Sequence, residues 1–156
     1  MKRFTANIFN DDWALVTAGT KEHFNTMTIS WGGMGTLWSK PVVTIYVKPC
    51  RYTYQFIESN DYFVISFFDK KYKKDLGILG SHSGRDGDKL ALTSLIPEEI
   101  DHGMTYKQAT KTIVCKKIYY QDLKLDRIPG EAVKTYYKDE PVHRMYIGEV
   151  VQIIEK

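Results

Sequence analysis

Two short stretches of the sequence combine cations, hydroxyls and backbone amides in a pattern that suits an anion. The first is Arg51-Tyr52-Thr53, which stands where a helix would begin. A helix start exposes unpaired N–H groups and the positive end of the helix dipole, so the Arg51 guanidinium and the Thr53 hydroxyl can converge with them on one phosphate. The alternative is that Thr53 only caps the helix and Arg51 only faces solvent, because helix caps far outnumber phosphate sites.

The second stretch is SHSGRDGDK, residues 81–89. Its Ser, Gly, Arg and Lys residues can form a turn in which backbone N–H groups, hydroxyls and cations face an anion. An exposed loop between two helices is the alternative, because Ser, Gly and Asp are common in such loops. The stretch lacks the Gly-Lys-Ser/Thr ending of a Walker loop, so it does not predict an ATP site.

A third stretch, NTMTISWGGMGTLW at residues 25–38, favours contact with a ligand along a strand. Strands avoid glycine, so three glycines beside two Trp suggest close approach by another group. Their spacing does not match the dinucleotide fingerprint, and a Rossmann site is not predicted. Together the three stretches suit a ligand with a flat ring at one end and a phosphate at the other.

Short segments rich in Val, Ile, Thr, Tyr and Phe dominate the chain and predict the strands that must position these residues. They favour a mostly antiparallel sheet that curls or closes, an α+β fold with few helices. The predicted strands are Trp13–Gly19, Thr26–Trp31, Val42–Lys48, Tyr62–Phe68, Thr112–Gln121 and Tyr146–Ile154.

Helical patterns are brief. One helix is predicted from Thr53, as its capping residue, to about Ser59. Apolar residues at i, i+4 and i+7 predict a second from Tyr72 to Leu79, with Gly80 as a C-terminal stop. Residues 131–138 form a third candidate.

Size and composition bound the class of protein. The 156 residues, 43% hydrophobic and 26% charged, predict one globular domain over residues 1–156. A net charge of +3 lacks the basic excess of a dedicated nucleic-acid binder, so no nucleic-acid partner is expected. No apolar run has the length of a signal peptide or a membrane span. The two cysteines, Cys50 and Cys115, predict no disulfide framework, and we expect a cytoplasmic protein without membrane association.

Four segments in order along the chain resemble one known family. NTMTISWG, KPCRYT, FFDKKYKKDLGILGSHSGRDGDK and HRMYIGEV are similar to segments of the flavin reductase-like FMN-binding split-barrel family, in its flavoredoxin branch. The similarity runs from about Trp13 to Val151. It implies a split β-barrel, FMN as cofactor, NAD(P)H as transient electron donor, and a homodimer with FMN near the interface.

The resemblance also implies the site residues. The strand that matches Asn25 to Trp31 would lie along the isoalloxazine, while the RYT and SGR motifs would hold the phosphate, with Gly84 permitting close backbone approach. Some contacts would come from the second subunit. The residues assigned to FMN in this way are Asn25, Met27, Thr28, Ser30, Trp31, Arg51, Thr53, Ser83, Gly84, Arg85 and Lys89.

No catalytic residue follows from the sequence, and the four His show no metal-ligand spacing, so no metal is predicted. His143 is the one candidate proton donor near the flavin, against the more common alternative of a structural His. His82 interrupts a run that is otherwise similar to the family, and its role stays open. Cys50 borders the phosphate motif and is either a reactive thiol or a small buried residue.

The leading hypothesis is an oxidoreductase of the flavin reductase type. It would pass electrons from NAD(P)H through bound FMN to free flavin, a partner protein or another acceptor. The alternative is a non-enzymatic FMN-binding carrier that serves a protein partner. A third hypothesis, a barrel that binds single-stranded nucleic acid through aromatic and Lys side chains, fits the weak positive charge less well.

Overall fold

The computed structural model describes residues 6–156 and has one large antiparallel sheet with short helices around it. In chain order the elements are α1 (Ile8–Asp12), β1 (Ala14–Gly19), β2 (Phe24–Ile29), β3 (Gly32–Leu37), β4 (Lys40–Val47), α2 (Tyr52–Ser59), β5 (Tyr62–Phe68), α3 (Lys73–Ser81), β6 (Pro97–Ile100), β7 (Gly103–Tyr106), β8 (Ala109–Asp122), α4 (Gly130–Tyr136) and β9 (Arg144–Glu155). None of the helices within residues 6–156 is long and apolar enough to cross a membrane.

The sheet must coil into a barrel because of its strand order. Seven strands pair antiparallel in the order β2-β1-β5-β8-β9-β4-β3, which puts β2 and β3 at opposite edges. Only Ser30 and Trp31 separate Ile29 at the end of β2 from Gly32 at the start of β3. Three Cα steps span at most about 11 Å, so the two edges approach each other at this point. Ser30 and Trp31 therefore lie at the opening of the barrel.

Side chains from both faces of the sheet fill two cores. The larger core lies inside the curled sheet, where Phe56 and Ile57 of α2 pack with apolar side chains of β1, β4 and β5. In the smaller core Leu76 and Leu79 of α3 contact Leu15 of β1. The helices α2 and α3 thus bury their apolar residues against β1 or β2, and each brings one end to the β2 edge of the sheet.

The prediction of a mostly antiparallel sheet with few short helices is confirmed, and each predicted strand overlaps an observed one. The predicted strand Thr26–Trp31 ends earlier, at Ile29. The predicted helix stop at Gly80 is wrong, since α3 continues to Ser81 and His82 follows as its cap.

Sequence patterns missed several elements, and each has a physical reason. β3 contains three glycines and pairs only with β4, because an edge strand with open faces tolerates residues that a buried strand avoids. β6 and β7 form a separate hairpin of four-residue strands, too short for a clear alternation. The five-residue α1 is also too short for a helical period.

Candidate functional site

A cavity of about 350 Å³ lies where the end of β2, the start of α2 and the segment after α3 meet. We call it the loop cavity. Its walls come from three separate parts of the chain, which the fold of the sheet and its helices brings together. It is lined by Asn25, Met27, Thr28, Cys50, Arg51, Tyr52, Thr53, Leu79, Gly80, Ser81, His82, Ser83, Gly84, Arg85, Asp86 and Lys89.

Asn25, Thr53 and Gly84 form a tight seam in the wall of the loop cavity. Asn25 Nδ2 donates to Thr53 Oγ1 over 2.8 Å, and both residues are buried, at 8% and 1% exposure. A Cβ at Gly84 would lie 2.3 Å from Asn25 Oδ1, so only glycine fits there without displacing Asn25. In this structure the backbone of Gly84 therefore lies close to the Asn25 side chain, and glycine is needed there to leave room for it.

The prediction that Thr53 caps α2 is wrong. Thr53 is the second residue of the helix, and its hydroxyl accepts from Asn25. Arg51 occupies the N-cap position, and its side chain makes no capping hydrogen bond. The first-turn N–H groups of α2 thus lack a side-chain cap, and the positive end of the helix dipole faces the loop cavity, which Tyr52 and Thr53 line.

Arg85 is held in the loop cavity by contacts with the backbone and a ring. Arg85 Nη1 donates to the Cys50 carbonyl over 2.8 Å, and its guanidinium lies 5.3 Å from the centroid of the Tyr52 ring. The Ser83 hydroxyl accepts from the Arg85 N–H over 3.2 Å. The remaining guanidinium N–H groups are left for an anion, since the side chain is exposed.

Lys89 has a different environment. Its Nζ donates to the carbonyls of Leu79 and His82 over 3.0 and 3.1 Å, and the residue is only 7% exposed. Burial lowers the pKa of the Lys89 ammonium to about 8. The assignment of Lys89 to a phosphate stays a prediction. In this structure its ammonium ties the segment after α3 to the end of that helix.

A second cavity of about 310 Å³ adjoins the first along β2, and we call it the aromatic cavity. The Trp31 indole lines it, edge-on to the Tyr136 ring at 5.0 Å between centroids and 5.5 Å from the His143 ring. It is lined by Met27, Thr28, Ile29, Ser30, Trp31, Tyr46, Lys48, Arg51, Tyr136 and His143.

Charges beside the aromatic cavity are arranged around Glu140. Its carboxylate accepts from Lys48 Nζ and lies 3.9 Å from Arg51 Nη2. Lys48 also donates to the Tyr136 carbonyl over 2.8 Å, which fixes α4 against β4. The hydrogen bond and charge of Lys48 hold the pKa of the Glu140 carboxyl below its usual range.

His143 is a neutral side chain at physiological pH. Burial, with the neighbouring charges of Lys48 and Arg51, lowers its pKa to about 4. His143 Nδ1 lies 2.7 Å from the Tyr137 hydroxyl. If that hydroxyl donates to Nδ1, the imidazole proton is on Nε2, which remains as a donor for a ligand in the cavity.

All eleven residues that the sequence predicted for the cofactor line one of these two cavities, and Met27, Thr28 and Arg51 line both. The cavities thus form one cleft along β2. Some predicted groups are already engaged, since Thr28 Oγ1 donates to the Leu76 carbonyl. Contact of any of these residues with a ligand stays a prediction.

Sequence reasoning missed four residues in or beside the cleft, Tyr46, Lys48, Tyr136 and Glu140. Of these four residues, only Lys48 could have been found from the sequence, because it belongs to the KPCRYT segment and lies three residues before Arg51. Tyr136 follows Met27, the residue with which it lines the cavity, by more than 100 residues, and Glu140 follows its partners Lys48 and Arg51 by about 90. Nothing local in the sequence indicates these contacts. Within residues 6–156 no group of three or more His, Cys, Asp or Glu side chains is placed to hold a metal ion.

Comparison with known proteins then identifies the family. The family model for the flavin reductase like domain matches residues 6–156. The chain belongs to this family. A comparison with curated protein sequences found no match.

Solved structures with the same fold are distant in sequence. A flavoredoxin from Methanosarcina acetivorans has a TM-score of 0.73 at 18% identity, over 100% of this chain and 74% of that one. An FMN-binding protein from Thermus thermophilus has a TM-score of 0.71 at 20% identity, over 93% and 71%. An NADH:FAD oxidoreductase from Streptomyces globisporus has a TM-score of 0.70 at 18% identity, over 96% and 79%. These likenesses support the split-barrel fold.

Proposed function

We propose that this chain binds FMN in the cleft along β2 and acts as an oxidoreductase of the flavin reductase type. The observation that carries the proposal is that the two adjoining cavities offer different chemistry. The aromatic cavity supplies rings and a strand edge for a planar heterocycle. The loop cavity supplies two guanidinium groups and an uncapped helix start for a phosphate.

The residues present fit FMN at both ends. Arg51 lines both cavities, so it can reach a phosphate in the loop cavity if it leaves Glu140. Arg85 is already oriented by the Cys50 carbonyl, which lowers the cost of fixing it on a ligand. Met27 and Thr28, which lie where the cavities join, would contact the chain between ring and phosphate.

Bound FMN would supply the hydride chemistry, accepting two electrons from NAD(P)H and returning them to an acceptor. The protein's part is to hold the ring against β2 and to exclude water with Trp31 and Tyr136. No acid or base is required for hydride transfer itself, because proximity and orientation supply much of the rate. His143 lines the aromatic cavity, and as a neutral imidazole it would donate a hydrogen bond to the ring there rather than transfer a proton.

We also propose a homodimer with the flavin near the interface. Trp31, which lines the aromatic cavity, is 43% exposed, and Met34 and Trp38 on the neighbouring hairpin are 47% and 64% exposed. Such a group of apolar side chains on a free surface favours burial against another subunit. Sedimentation velocity, with and without FMN, measures the oligomeric state directly. A monomer in both samples contradicts this part of the proposal.

The test of the main proposal is the visible spectrum of the purified protein, followed by NADH and NADPH oxidation with added flavin. Flavin bands that survive gel filtration, with turnover, are the expected result. A colourless protein that binds no FMN on titration contradicts it.

The similarity to the Methanosarcina flavoredoxin favours the second candidate, an FMN-binding electron carrier, and a yellow protein without NAD(P)H turnover would select it.

The two free cysteines, exposed Cys50 and buried Cys115, are consistent with the further proposal of a reducing, cytoplasmic location. Fractionation of the source cells tests it, and recovery outside the cytoplasm contradicts it.

A further inference from the structure

Lys48 is a cation with little access to solvent in the wall of the aromatic cavity. It directly follows β4, lines the cavity and is only 7% exposed. Its Nζ donates to the Tyr136 carbonyl over 2.8 Å and to the Glu140 carboxylate. Lysine is rarely buried to this degree, because removing an ammonium from water is costly. These contacts hold a positive charge at a fixed place beside the cavity.

The charges around the aromatic cavity do not cancel inside it. Among residues 6–156 two cations, Lys48 and Arg51, line the cavity, and no Asp or Glu does. Glu140 faces both cations from outside the lining, and its side chain is 43% exposed, against 9% for that of Lys48. Water screens the more exposed charge more strongly. The electrostatic potential inside the cavity is therefore positive.

His143 reports the effect of these charges on a group in the cavity. Burial is the main cause that lowers its pKa to about 4, and the charges of Lys48 and Arg51 come next. Glu140 acts in the opposite direction and less strongly than either cation. A ligand beside His143 meets the same cations. Negative charge on that ligand is therefore favoured and positive charge is disfavoured.

We propose that Lys48 makes the aromatic cavity selective for reduced flavin over oxidised flavin. This inference rests on the proposed function. A hydride from NAD(P)H puts two electrons and one proton on the flavin, so a neutral oxidised ring becomes a ring with one negative charge. Charge near the ring is one means by which a protein tunes a flavin. Lys48 therefore raises the midpoint potential of bound FMN.

Coulomb's law gives the expected size of the effect. A unit charge about 8 to 12 Å from the ring, in a medium of dielectric constant about 20, changes the preference for the reduced form about 10- to 30-fold. For a two-electron couple each factor of ten corresponds to about 30 mV. Lys48→Met should therefore lower the midpoint potential of bound FMN by about 30 to 45 mV. Equilibration with a reference dye, at a pH where the reduced ring is an anion, measures this shift.

Three further variants accompany Lys48→Met. Lys48→Arg keeps the charge and should restore most of the lost potential. Glu140→Gln removes the opposing carboxylate of an exposed pair, so it should raise the potential, by about 5 to 20 mV. Lys111→Met breaks the exposed pair with Glu155 and should leave the potential unchanged.

The opposite signs expected for Lys48→Met and Glu140→Gln separate a charge effect from a structural one. Both substitutions weaken the same contact between β4 and the segment after α4. A loosened segment would shift the potential of both variants in the same direction. The protein without flavin provides a second readout, an NMR titration of His143. Its pKa should rise in Lys48→Met and fall in Glu140→Gln.

The outcomes distinguish this inference from the proposed function. An unchanged potential in Lys48→Met, or shifts of the same sign in Lys48→Met and Glu140→Gln, would overturn the selectivity while FMN binding stands. An unchanged pKa of His143 in Lys48→Met would contradict it as well. If the parent binds no FMN on titration, the proposed function fails and this inference fails with it.

Discussion

The loop cavity and the aromatic cavity adjoin along β2, yet they are built in different ways. In the loop cavity, backbone carbonyls hold two of the cations, as Cys50 does for Arg85 and as Leu79 and His82 do for Lys89. In the aromatic cavity, side chains hold one another, through Trp31 against Tyr136 and Lys48 against Glu140. The loop cavity is thus organised before a ligand arrives, whereas the aromatic cavity can adjust by moving side chains.

Arg51 lines both cavities, and its loss should have the largest effect. Because a charge-assisted hydrogen bond is worth about 1.5 to 3 kcal/mol, Arg51→Ala should weaken FMN binding roughly 10- to 150-fold. Fluorescence titration measures the change. Riboflavin, which has no phosphate, should bind the variant and the parent alike. Unchanged FMN affinity would show that Arg51 does not bind the phosphate. It would also weaken the proposed division between a phosphate-binding loop cavity and a ring-binding aromatic cavity.

Gly84→Ala tests whether the loop cavity depends on a close backbone contact. The added Cβ would lie 2.3 Å from Asn25 Oδ1 and 2.9 Å from Tyr52 Cδ2, so Asn25 must leave Thr53 or the loop must shift. We expect about a tenfold loss of FMN affinity, at the low end of the roughly 1 to 3 kcal/mol that overpacking costs.

Gly77→Ala on α3 is the matched control for that variant. A Cβ there meets no atom within 4 Å, so it should raise stability slightly and leave FMN affinity unchanged. Equal losses in both variants would show that the effect does not come from the seam.

Glu140→Gln should have a smaller effect of the opposite sign. Removing the carboxylate releases Arg51 and takes a negative charge away from the cleft. An exposed pair contributes about 0.2 to 1 kcal/mol, so FMN affinity should rise roughly 1.5- to 5-fold. Glu155→Gln, which breaks the exposed pair with Lys111, is the control. Weaker FMN binding in Glu140→Gln would mean that the carboxylate supports the site.

Protonation of His143 should have the smallest effect on binding, because riboflavin affinity should not change with pH. With a pKa of about 4, His143 stays neutral from about pH 5.5 to 8, so riboflavin affinity should not change over that range.

The pKa of His143 in the unfolded chain is about 6.5, so between about pH 4 and 6.5 the unfolded state binds more protons than the folded state. The parent should therefore lose unfolding free energy relative to His143→Gln as pH falls from about 6.5 toward 4. Urea denaturation at several pH values measures this loss, and an NMR titration of His143 near 6.5 would contradict it.

The sequence predicted much of the cleft because its main parts are local. The strand β2, the helix start at Arg51 and the loop around Gly84 each carry their chemistry within a few residues. The eleven residues that the family resemblance assigned to FMN all line the cleft. Local patterns failed where the environment decides the outcome. The local pattern predicts Thr53 as a cap, but in the structure Thr53 lies inside the helix and its hydroxyl accepts a hydrogen bond from the distant Asn25.

The sequence by itself determined the type and order of the main strands and the positions of the stretches that we predict to bind an anion, because alternation and turn residues act over a few positions. Only the tertiary structure decided that Tyr136, Glu140 and His143 lie beside Met27 and Arg51. That proximity follows from the coiling of the sheet, which brings its β2 and β3 edges together around Ser30 and Trp31. Contacts between residues about 90 or more positions apart depend on how the whole sheet closes, and no short segment encodes that closure.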